Sequence, residues 1–262
     1  MMQVLEEIRK ESPLVHNITN YVVMNNTANA LLSIGASPVM AHAIDEVEDI
    51  VRISSSLVIN MGTLSENWVN SMLLAIKEAK NTSTPFVFDP VGVGASAYRT
   101  ATALKIIETA TPSVIRANAS EIMALAQLSQ STKGVDSTID TQNALEGAIL
   151  LSKKLNNTIV ISGAVDYVIT NNRVTKILNG SSIMSKVTGM GCTATAIVGA
   201  CIAVEKDHHK AATIAMAIMG IAGEMAENIS KGPGSFQSNF LDSLYLISTE
   251  DLVNKIKLDG EI

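Results

Sequence analysis

Gly189, Met190, Gly191 and Cys192 form the segment of this chain whose residue types are best suited to chemistry. A run of small and apolar residues follows without a break, so the pattern predicts a tight loop that opens directly into a buried helix. The first N–H groups of a helix have no internal partner and carry the positive end of its dipole. Because glycines lack Cβ atoms, the loop could close around a phosphate or a developing oxyanion. A turn that only leads into a core helix is the alternative.

The thiol of Cys192 would lie at the start of this helix, where it could act as a nucleophile or contact a polar substrate. The chain has two cysteines, and the other, Cys201, lies further along the same predicted helix. The two would point to opposite faces about 13 Å apart, so they could not form a disulfide. Unpaired cysteines are typical of a reducing compartment, and we therefore expect a cytoplasmic protein.

A carboxylate is expected at the end of a buried strand. Asp89 follows the apolar residues Val87 and Phe88 and precedes a glycine-rich turn. An ionised side chain in this position is costly unless it is paired, hydrogen-bonded or close to a cation. Two interpretations remain open: Asp89 accepts hydrogen bonds from the turn, or it helps to hold magnesium.

The next two predicted strands also end in polar residues. Arg116 could meet phosphate, and Ser162 either contacts a nucleotide or is a turn residue. Asn118 and Glu121 have the spacing of a capping box for the helix that follows. In the functional interpretation Glu121 instead joins Asp89 around magnesium. We therefore take Arg116, Asn118 and Ser162 as candidate contacts to a phosphate or a nucleotide, and Asp89 and Glu121 as candidate metal ligands.

Amides cluster near the beginning of the chain. Asn20 follows the first predicted strand, and more asparagines follow in the next helix, whose interior asparagine disfavours. Met40 and Gly62 lie at the ends of the next two predicted strands and would line the same mouth as Asn20 if the strand order allows it. Substrate binding would explain the group; helix capping, subunit contacts and core packing are the alternatives.

A loose dinucleotide-binding fingerprint occurs at Gly92-x-Gly94-x-x-Ala97. Pro90 separates its glycines from the preceding strand, and Arg116 stands where an acidic residue is expected at the end of the next strand. These departures argue against a nicotinamide-dependent oxidoreductase.

Composition excludes several classes of protein. The 262 residues are 47% hydrophobic but only 3% aromatic, which suits helices packed on a parallel sheet. A formal net charge of −6 without a basic stripe argues against a nucleic-acid partner. The longest apolar runs, Thr193–Val204 and Ala211–Gly223, are too short to span a membrane and predict two core helices. We expect His208 and His209 in an exposed connection between them.

Apolar runs rich in β-branched residues alternate with helical patterns, which indicates an α/β fold with a mostly parallel, doubly wound sheet and one antiparallel hairpin at an edge. The predicted strands are Leu14–Ile18, Pro38–Ala41, Leu57–Met61, Pro85–Asp89, Ser113–Arg116, Thr158–Ser162, Tyr167–Thr170 and Arg173–Leu178. The predicted helices are Val22–Ile34, Ser65–Lys80, Ala101–Thr109, Ser120–Gln127 and Thr141–Leu155. We expect a single domain over residues 1–262 that is nearly all helical after Gly191.

Four segments in order resemble the hydroxyethylthiazole kinase family: Pro13–Asn20, Phe88–Gly94, Ile115–Glu121 and Thr188–Cys192. The similarity runs from about Leu14 to Phe240. It implies a ribokinase-like three-layer sandwich with a mostly parallel central sheet, flanking helices and a helical C-terminal part. It also implies that ATP phosphorylates the hydroxyethyl group of 4-methyl-5-(2-hydroxyethyl)thiazole in thiamine biosynthesis or salvage, with Mg²⁺ as cofactor. The expected assembly is a homotrimer with thiazole sites between subunits.

By matching position, the resemblance assigns Met40 and Gly189 to thiazole binding, and Arg116 and Ser162 to ATP binding. Relatives often have threonine in place of Ser162. Kinases of the wider ribokinase-like group have an aspartate base where this chain has Cys192, so the resemblance names no base. We expect Cys192 to position the alcohol. Another ribokinase-like kinase, acting on hydroxymethylpyrimidine, pyridoxal or a sugar, is the main alternative, and a catalytically silent nucleotide-binding module is a further one.

Overall fold

The computed structural model describes residues 3–129 and 141–261. The strands in these ranges are β1 (Leu14–Ile18), β2 (Ser37–Val39), β3 (Ser56–Asn60), β4 (Phe86–Asp89), β5 (Val114–Asn118), β6 (Thr158–Ser162), β7 (Asp166–Thr170), β8 (Arg173–Ile177) and β9 (Leu258–Gly260). The helices are α1 (Gln3–Glu11), α2 (Met24–Ile34), α3 (Val47–Ile53), α4 (Glu66–Thr82), α5 (Ala97–Thr109), α6 (Ala119–Ser129), α7 (Thr141–Leu155), α8 (Met190–Val204), α9 (His208–Glu227), α10 (Pro233–Leu246) and α11 (Thr249–Lys255), with a 3-10 helix at Ser182–Lys186.

All nine strands of the described ranges form one sheet in the order β2-β1-β3-β4-β5-β6-β7-β8-β9. The pairs from β2 to β6 are parallel, and β7, β8 and β9 continue the sheet antiparallel. The predicted α/β fold with a mostly parallel sheet is therefore confirmed. The chain adds strands in opposite directions from β1, towards β2 on one side and β3 on the other. Ligands bind at the carboxyl ends of the strands beside such a reversal.

Helices cover both faces of the sheet and form three layers with it. Side chains alternate along each strand, so Val58 belongs to the apolar cluster that includes residues of α1, α2 and α8–α11, whereas Leu57 and Ile59 belong to the cluster that includes residues of α3–α7. Each face thus has its own apolar core. This arrangement confirms the predicted three-layer architecture.

Helix α8 crosses the middle of the sheet and is buried along most of its length. A Cβ on Gly199 would lie 2.6 Å from Cγ2 of Val58, so glycine is needed where the helix touches the strands. Ser56 Oγ donates a hydrogen bond to the Gly199 carbonyl oxygen over 2.7 Å. These contacts fix α8 so that its first turn lies at the carboxyl edge of the sheet. The predicted pair of core helices, α8 and α9, is confirmed, and no helix in the described ranges is long and apolar enough to cross a membrane.

Four elements were not predicted, one of them the 3-10 helix at Ser182–Lys186. Helix α1 is short and charged, yet its apolar stripe is buried against α8. Helix α3 and strand β9 are also short, and β9 is defined by its pairing with β8 rather than by apolar residues. The prediction of helix throughout the C-terminal part therefore missed one edge strand.

The expected exposed position of the two adjacent histidines is wrong for His209. Asp207 caps α9 by accepting the Lys210 N–H, so both histidines belong to the first helical turn. His209 is buried, and its two ring nitrogens lie 2.9 Å from Thr170 Oγ1 and 2.9 Å from Thr175 Oγ1. Burial lowers the pKa of His209 to about 4, which keeps the ring neutral.

Candidate active site

The candidate site begins at the start of α8, where the chain turns through a left-handed glycine. Gly189 has a φ of +85°, and a Cβ there would come within 2.8 Å of Val23 Cγ1. The first hydrogen bond of the helix runs from the Thr193 N–H to the Gly189 carbonyl oxygen over 2.8 Å. The N–H groups of Met190–Cys192 therefore precede the helical ladder and point out of its end. The predicted tight loop into a buried helix is confirmed, and its end is suited to an anion.

Asp89 lies beside this helix at the end of β4, and its side chain is buried. Its Oδ2 accepts hydrogen bonds from Asn60 Nδ2 (2.9 Å) and Thr195 Oγ1 (2.7 Å), and lies 3.7 Å from Arg116 Nη1. Side chains of β3 and α8, not the following turn, thus supply the donors. Burial raises the pKa of Asp89 to about 6, although the Arg116 charge and both hydrogen bonds oppose the shift.

The second oxygen of Asp89 is in a different situation. Oδ1 is buried and has no hydrogen-bond partner among the described residues. A buried carboxylate oxygen is rarely left without a partner, because its desolvation is then uncompensated. One oxygen of Asp89 is therefore fixed by its neighbours while the other is available to a ligand.

A relay of amides connects Asp89 with the start of α8. Asn60 and Asp89 are register partners on β3 and β4. Asn60 Oδ1 accepts hydrogen bonds from Asn20 Nδ2 (2.8 Å) and from the Gly62 N–H (2.9 Å). Asn20 Nδ2 also donates a hydrogen bond to Cys192 Sγ over 3.4 Å. The relay holds the Cys192 thiol in a fixed position relative to the buried carboxylate.

The pKa of the Cys192 thiol is raised, first by burial and then by the Asp89 charge, and the two asparagines offset this only in part. A thiol whose pKa is raised stays protonated at neutral pH and is a poor nucleophile. This environment favours a neutral contact to substrate over a thiolate. Cys201 is buried deeper in α8, and both cysteines are free.

The candidate substrate residues near the first strands are only partly brought together. A Cβ on Gly62 would lie 2.6 Å from Asn20 Nδ2, so glycine lets these two segments meet. Arg99 donates to the Gly62 carbonyl oxygen over 2.7 Å and braces this turn from α5. Met40 follows β2, one strand further out, and is half-buried.

Arg116 packs directly on the first turn of α8. A Cβ on Gly191 would come within 2.7 Å of Arg116 Nη1, so the second glycine of the loop makes room for the guanidinium. Arg116 Nη2 donates to Ser162 Oγ, and Nε is buried without a hydrogen-bond partner among the described residues. Besides its contact with Asp89, Arg116 therefore keeps donor capacity for an anion at the helix end.

A cavity of about 580 Å³ opens on the far side of Arg116. Its lining includes the polar residues Arg116, Ser162 and Asp166 and the methionines Met184, Met216 and Met219. Asp166 Oδ1 accepts the Gly163 N–H over 2.9 Å. Burial raises the pKa of Asp166 to about 6, against the opposing effects of that hydrogen bond and of Arg116. The cavity has the volume and mixed lining that a nucleotide needs.

Glu121 and Asn118 form the capping box that their spacing predicts. Asn118 Oδ1 accepts the Glu121 N–H (2.9 Å), and Glu121 Oε2 accepts the Asn118 N–H (2.9 Å). Glu121 Oε1 also accepts the Gly92 N–H (2.8 Å), which ties the turn after β4 to α6. The side-chain oxygen Oδ1 of Asn118 is thus used in the helix cap, and the residue is exposed.

Three residues of the site were not singled out from the sequence. Thr195 lies within an apolar run. The only signal for it in the sequence was its helical spacing of three residues from Cys192 along α8. Asn60 ends β3 as Asp89 ends β4, and was noted only as part of a strand end. Asp166 lies in β7, which is antiparallel, so the rule of carboxyl strand ends did not include it.

Comparison with known proteins bears on this geometry. Residues 5–250 match the hydroxyethylthiazole kinase family. The chain belongs to this family. It is 54% identical to the hydroxyethylthiazole kinase of Leptospira biflexa over 252 residues, which cover 96% of this chain and 94% of that protein.

Solved structures agree with this assignment. The structure of the hydroxyethylthiazole kinase protein from Pyrococcus horikoshii OT3 has a TM-score of 0.92 and 39% identity, covering 100% of this chain and 98% of that one. A ribokinase-like superfamily protein from Enterococcus faecalis has a TM-score of 0.65 at 13% identity, covering 95% of each chain. The second similarity concerns the fold alone, and it confirms the ribokinase-like architecture.

We expect the Asp166→Asn substitution to flatten the pH dependence of stability between about pH 4 and pH 6. The pKa of Asp166 is about 6 in the folded protein against an ordinary value of 3.8, so the native state binds more protons in this window. Its contribution is therefore lost as the pH rises, and the loss is complete above the folded pKa. Urea unfolding of both proteins at several pH values measures the difference. Parallel curves of unfolding free energy against pH would contradict the assignment.

Proposed function

We propose that this chain transfers the γ-phosphoryl group of ATP to the hydroxyl group of 4-methyl-5-(2-hydroxyethyl)thiazole, in thiamine biosynthesis or salvage. The main support for the proposal is the position of the α8 start, that is, residues Gly189–Cys192. On one side its Cys192 thiol meets the amide of Asn20, and on the other its Gly191 packs against Arg116, which lines the cavity of about 580 Å³. An acceptor alcohol and a donor phosphate would thus meet at one helix end. The relatives' names as hydroxyethylthiazole kinases support this acceptor.

The α8 start and Arg116 stabilise the charge of the phosphoryl group during transfer. Phosphoryl transfer has a loose transition state, so positioning and electrostatic stabilisation provide most of the catalysis. The N–H groups of Gly189–Cys192 and the helix dipole face the γ-phosphoryl. Arg116 and Ser162 hold the rest of the phosphate chain. Asn118 lies near the nucleotide and caps helix α6.

The acceptor lies among Asn20, Met40, Gly62 and Gly189. The neutral Cys192 thiol positions its hydroxyl, and no thiolate is needed because a loose transition state requires little early deprotonation. A thiolate would also place a further negative charge beside the phosphate. Cys192 is therefore a neighbour of the reacting oxygen and not a base.

The residues present fit a magnesium ion that is shared with ATP. Asp89 Oδ1 is buried and unpartnered within the described ranges, and Glu121 is close enough to raise the pKa of Asp89. Magnesium is commonly held by one or two carboxylates together with water and substrate phosphates. Asp89 would hold it, with Glu121 acting directly or through water, since both Glu121 oxygens already accept backbone N–H groups. When bound, the ion neutralises charge on the β- and γ-phosphate oxygens.

The assembly, domain and compartment are part of the same proposal. Tyr21 and Val22 follow Asn20 directly and are 60% and 62% exposed, so apolar surface borders the thiazole side of the site. We place a subunit contact of a homotrimer there.

One sheet that contains all the described strands, from β1 to β9, supports a single kinase domain over residues 1–262. Free cysteines fit the reducing cytoplasm.

Consumption of ATP in the presence of different acceptors tests the function. We expect turnover with hydroxyethylthiazole, and much slower turnover with hydroxymethylpyrimidine, pyridoxal or ribose, because the pocket beside Cys192 must match the acceptor. A coupled assay that measures ADP gives the rates, and mass spectrometry identifies the phosphate ester. Equal or faster turnover with another acceptor would replace the proposed substrate, and ATP binding without turnover would indicate a silent module.

The Cys192→Ser substitution tests whether the thiol only positions the alcohol. Serine can make the same neutral contact, so we expect kcat to change by about tenfold or less, and no burst of covalent product. Steady-state and rapid-quench kinetics measure the two quantities. A loss of several orders of magnitude would assign a chemical role to the thiol. Cys201→Ser, in the buried part of the same helix, controls for general damage to α8.

The Asp89→Asn substitution tests the metal assignment. We expect the Mg²⁺ concentration for half-maximal activity to rise by about tenfold or more, because the available oxygen loses its charge. Binding of Mn²⁺ in the presence of ADP, measured by electron paramagnetic resonance, gives a readout independent of turnover. An unchanged metal titration would exclude Asp89 as a ligand.

The Glu121→Gln substitution is the matched comparison. Glutamine keeps one acceptor oxygen for the capping box, but it loses the charge and places an NH2 donor where the second oxygen accepted a backbone N–H. If Glu121 serves only as a cap, the unfolding temperature should fall while Mn²⁺ binding stays near that of the unsubstituted protein. Mn²⁺ binding weakened as strongly as in Asp89→Asn would show that the Glu121 charge acts on the metal.

A further inference from the structure

Three methionines among the residues that line the 580 Å³ cavity come from two elements. Met216 and Met219 come from α9, and Met184 comes from the 3-10 helix that contacts α9 at Gly223. Methionine side chains are polarisable and adapt to flat aromatic groups. Since Arg116 also lines the cavity and carries a positive charge, the phosphates of a bound nucleotide would contact Arg116 and its nucleoside the methionines.

Two glycines on one face of α9 allow this approach. A Cβ on Gly220 would lie 2.7 Å from the backbone carbonyl carbon of Asn179. A Cβ on Gly223, one turn further, would lie 2.6 Å from Met184 Sδ and 3.4 Å from its Cγ. Residues three apart on a helix share a face, so the pair forms a shallow channel in which the chain from Asn179 to Met184 lies.

A polar clamp fixes the same segment at its beginning. Glu224, next to Gly223 on α9, accepts hydrogen bonds from the Gly180 N–H (3.1 Å) and from Asn179 Nδ2 (3.2 Å). Asn179 Oδ1 in turn accepts the Lys257 N–H over 2.7 Å. The backbone of the segment therefore cannot move away easily when α9 is altered.

We propose that Gly223 is a positioning residue that sets how far Met184 extends into the cavity, and thereby determines the affinity for the nucleoside part of the phosphate donor. Gly223 does not line the cavity itself. The inference rests on the proposed use of ATP and adds to it the residue that sets the depth of the nucleoside pocket.

The direction in which Met184 must yield follows from its surroundings. Met184 both lines the cavity and lies against Gly223 of α9, and α10 also contacts the 3-10 helix. Because the clamp holds the backbone, a methyl group at position 223 pushes the flexible thioether towards the open cavity. The fold tolerates this displacement, since only the end of a flexible side chain moves.

The test compares binding of the ATP analogue AMP-PCP and of hydroxyethylthiazole by isothermal titration calorimetry of the full chain. For Gly223→Ala we expect the Kd for AMP-PCP to rise about tenfold, as for overpacking of a well-filled site. The Kd for hydroxyethylthiazole should stay within about twofold. Gly199→Ala is the control, because its Cβ would meet Val58 Cγ2 at the same 2.6 Å but in the core of the sheet. It should lower the unfolding temperature and change the Kd values of AMP-PCP and hydroxyethylthiazole by similar factors, because both ligands would contact the α8 start.

The Met184→Ala background provides the second arm, which also serves if Gly223→Ala folds poorly. There the methyl group at position 223 has nothing to displace, so we expect Gly223→Ala to change the AMP-PCP Kd by no more than about twofold. An undiminished effect in this background, or an equally selective loss of AMP-PCP affinity in Gly199→Ala, would overturn the proposal. So would an unchanged AMP-PCP Kd in Gly223→Ala while the unsubstituted protein binds the analogue and phosphorylates the thiazole. Absence of AMP-PCP binding in the unsubstituted protein would instead overturn the proposed function.

Discussion

The buried carboxylate of Asp89 is the constraint on which the rest of the site depends. It ends a central strand, where its side chain is buried away from bulk solvent. Three side chains from three different elements compensate its charge: Asn60 from β3, Thr195 from α8 and Arg116 from β5. All of them act on one oxygen, so the second remains for a ligand. The Asp89 charge is therefore stabilised only when β3, β5 and α8 are correctly placed around the end of β4.

Helix α8 turns this local requirement into a site. Its buried middle is fixed on β1 and β3 through Gly199, while its first turn presents Cys192 to Asn20 on one side and packs against Arg116 on the other. Glycine is found where a backbone must come close to a polar side chain, as at Gly62 beside Asn20 and at Gly191 beside Arg116. Packing of the sheet and binding of an anion therefore depend on the same helix, and a shift of α8 would alter both.

The sequence predicted those parts of the fold and of the site that follow from the spacing of apolar residues and from the positions of strand ends. Alternating apolar runs indicated most strands and the layer order, and the carboxyl-end rule led to Asp89, Arg116 and Ser162. It did not lead to Asp166, whose strand runs antiparallel, or to Thr195, which an apolar run conceals. Strand β9 was missed because its pairing with β8, and not its own residues, makes it a strand. What was not predicted depends on contacts between segments that are distant in the chain.

The presence of a thiol at position 192 follows from the same electrostatics. The Asp89 charge already raises the pKa of Cys192, and Arg116 is the nearby cation that opposes it. A carboxylate at position 192 would add a second negative charge beside Asp89, and two interacting acids in a buried site cannot both ionise easily. With phosphates also present, the neutral thiol avoids that repulsion while keeping a polar contact held by Asn20. The charge at Asp89 and the lack of charge at Cys192 are thus two consequences of one limited supply of positive charge.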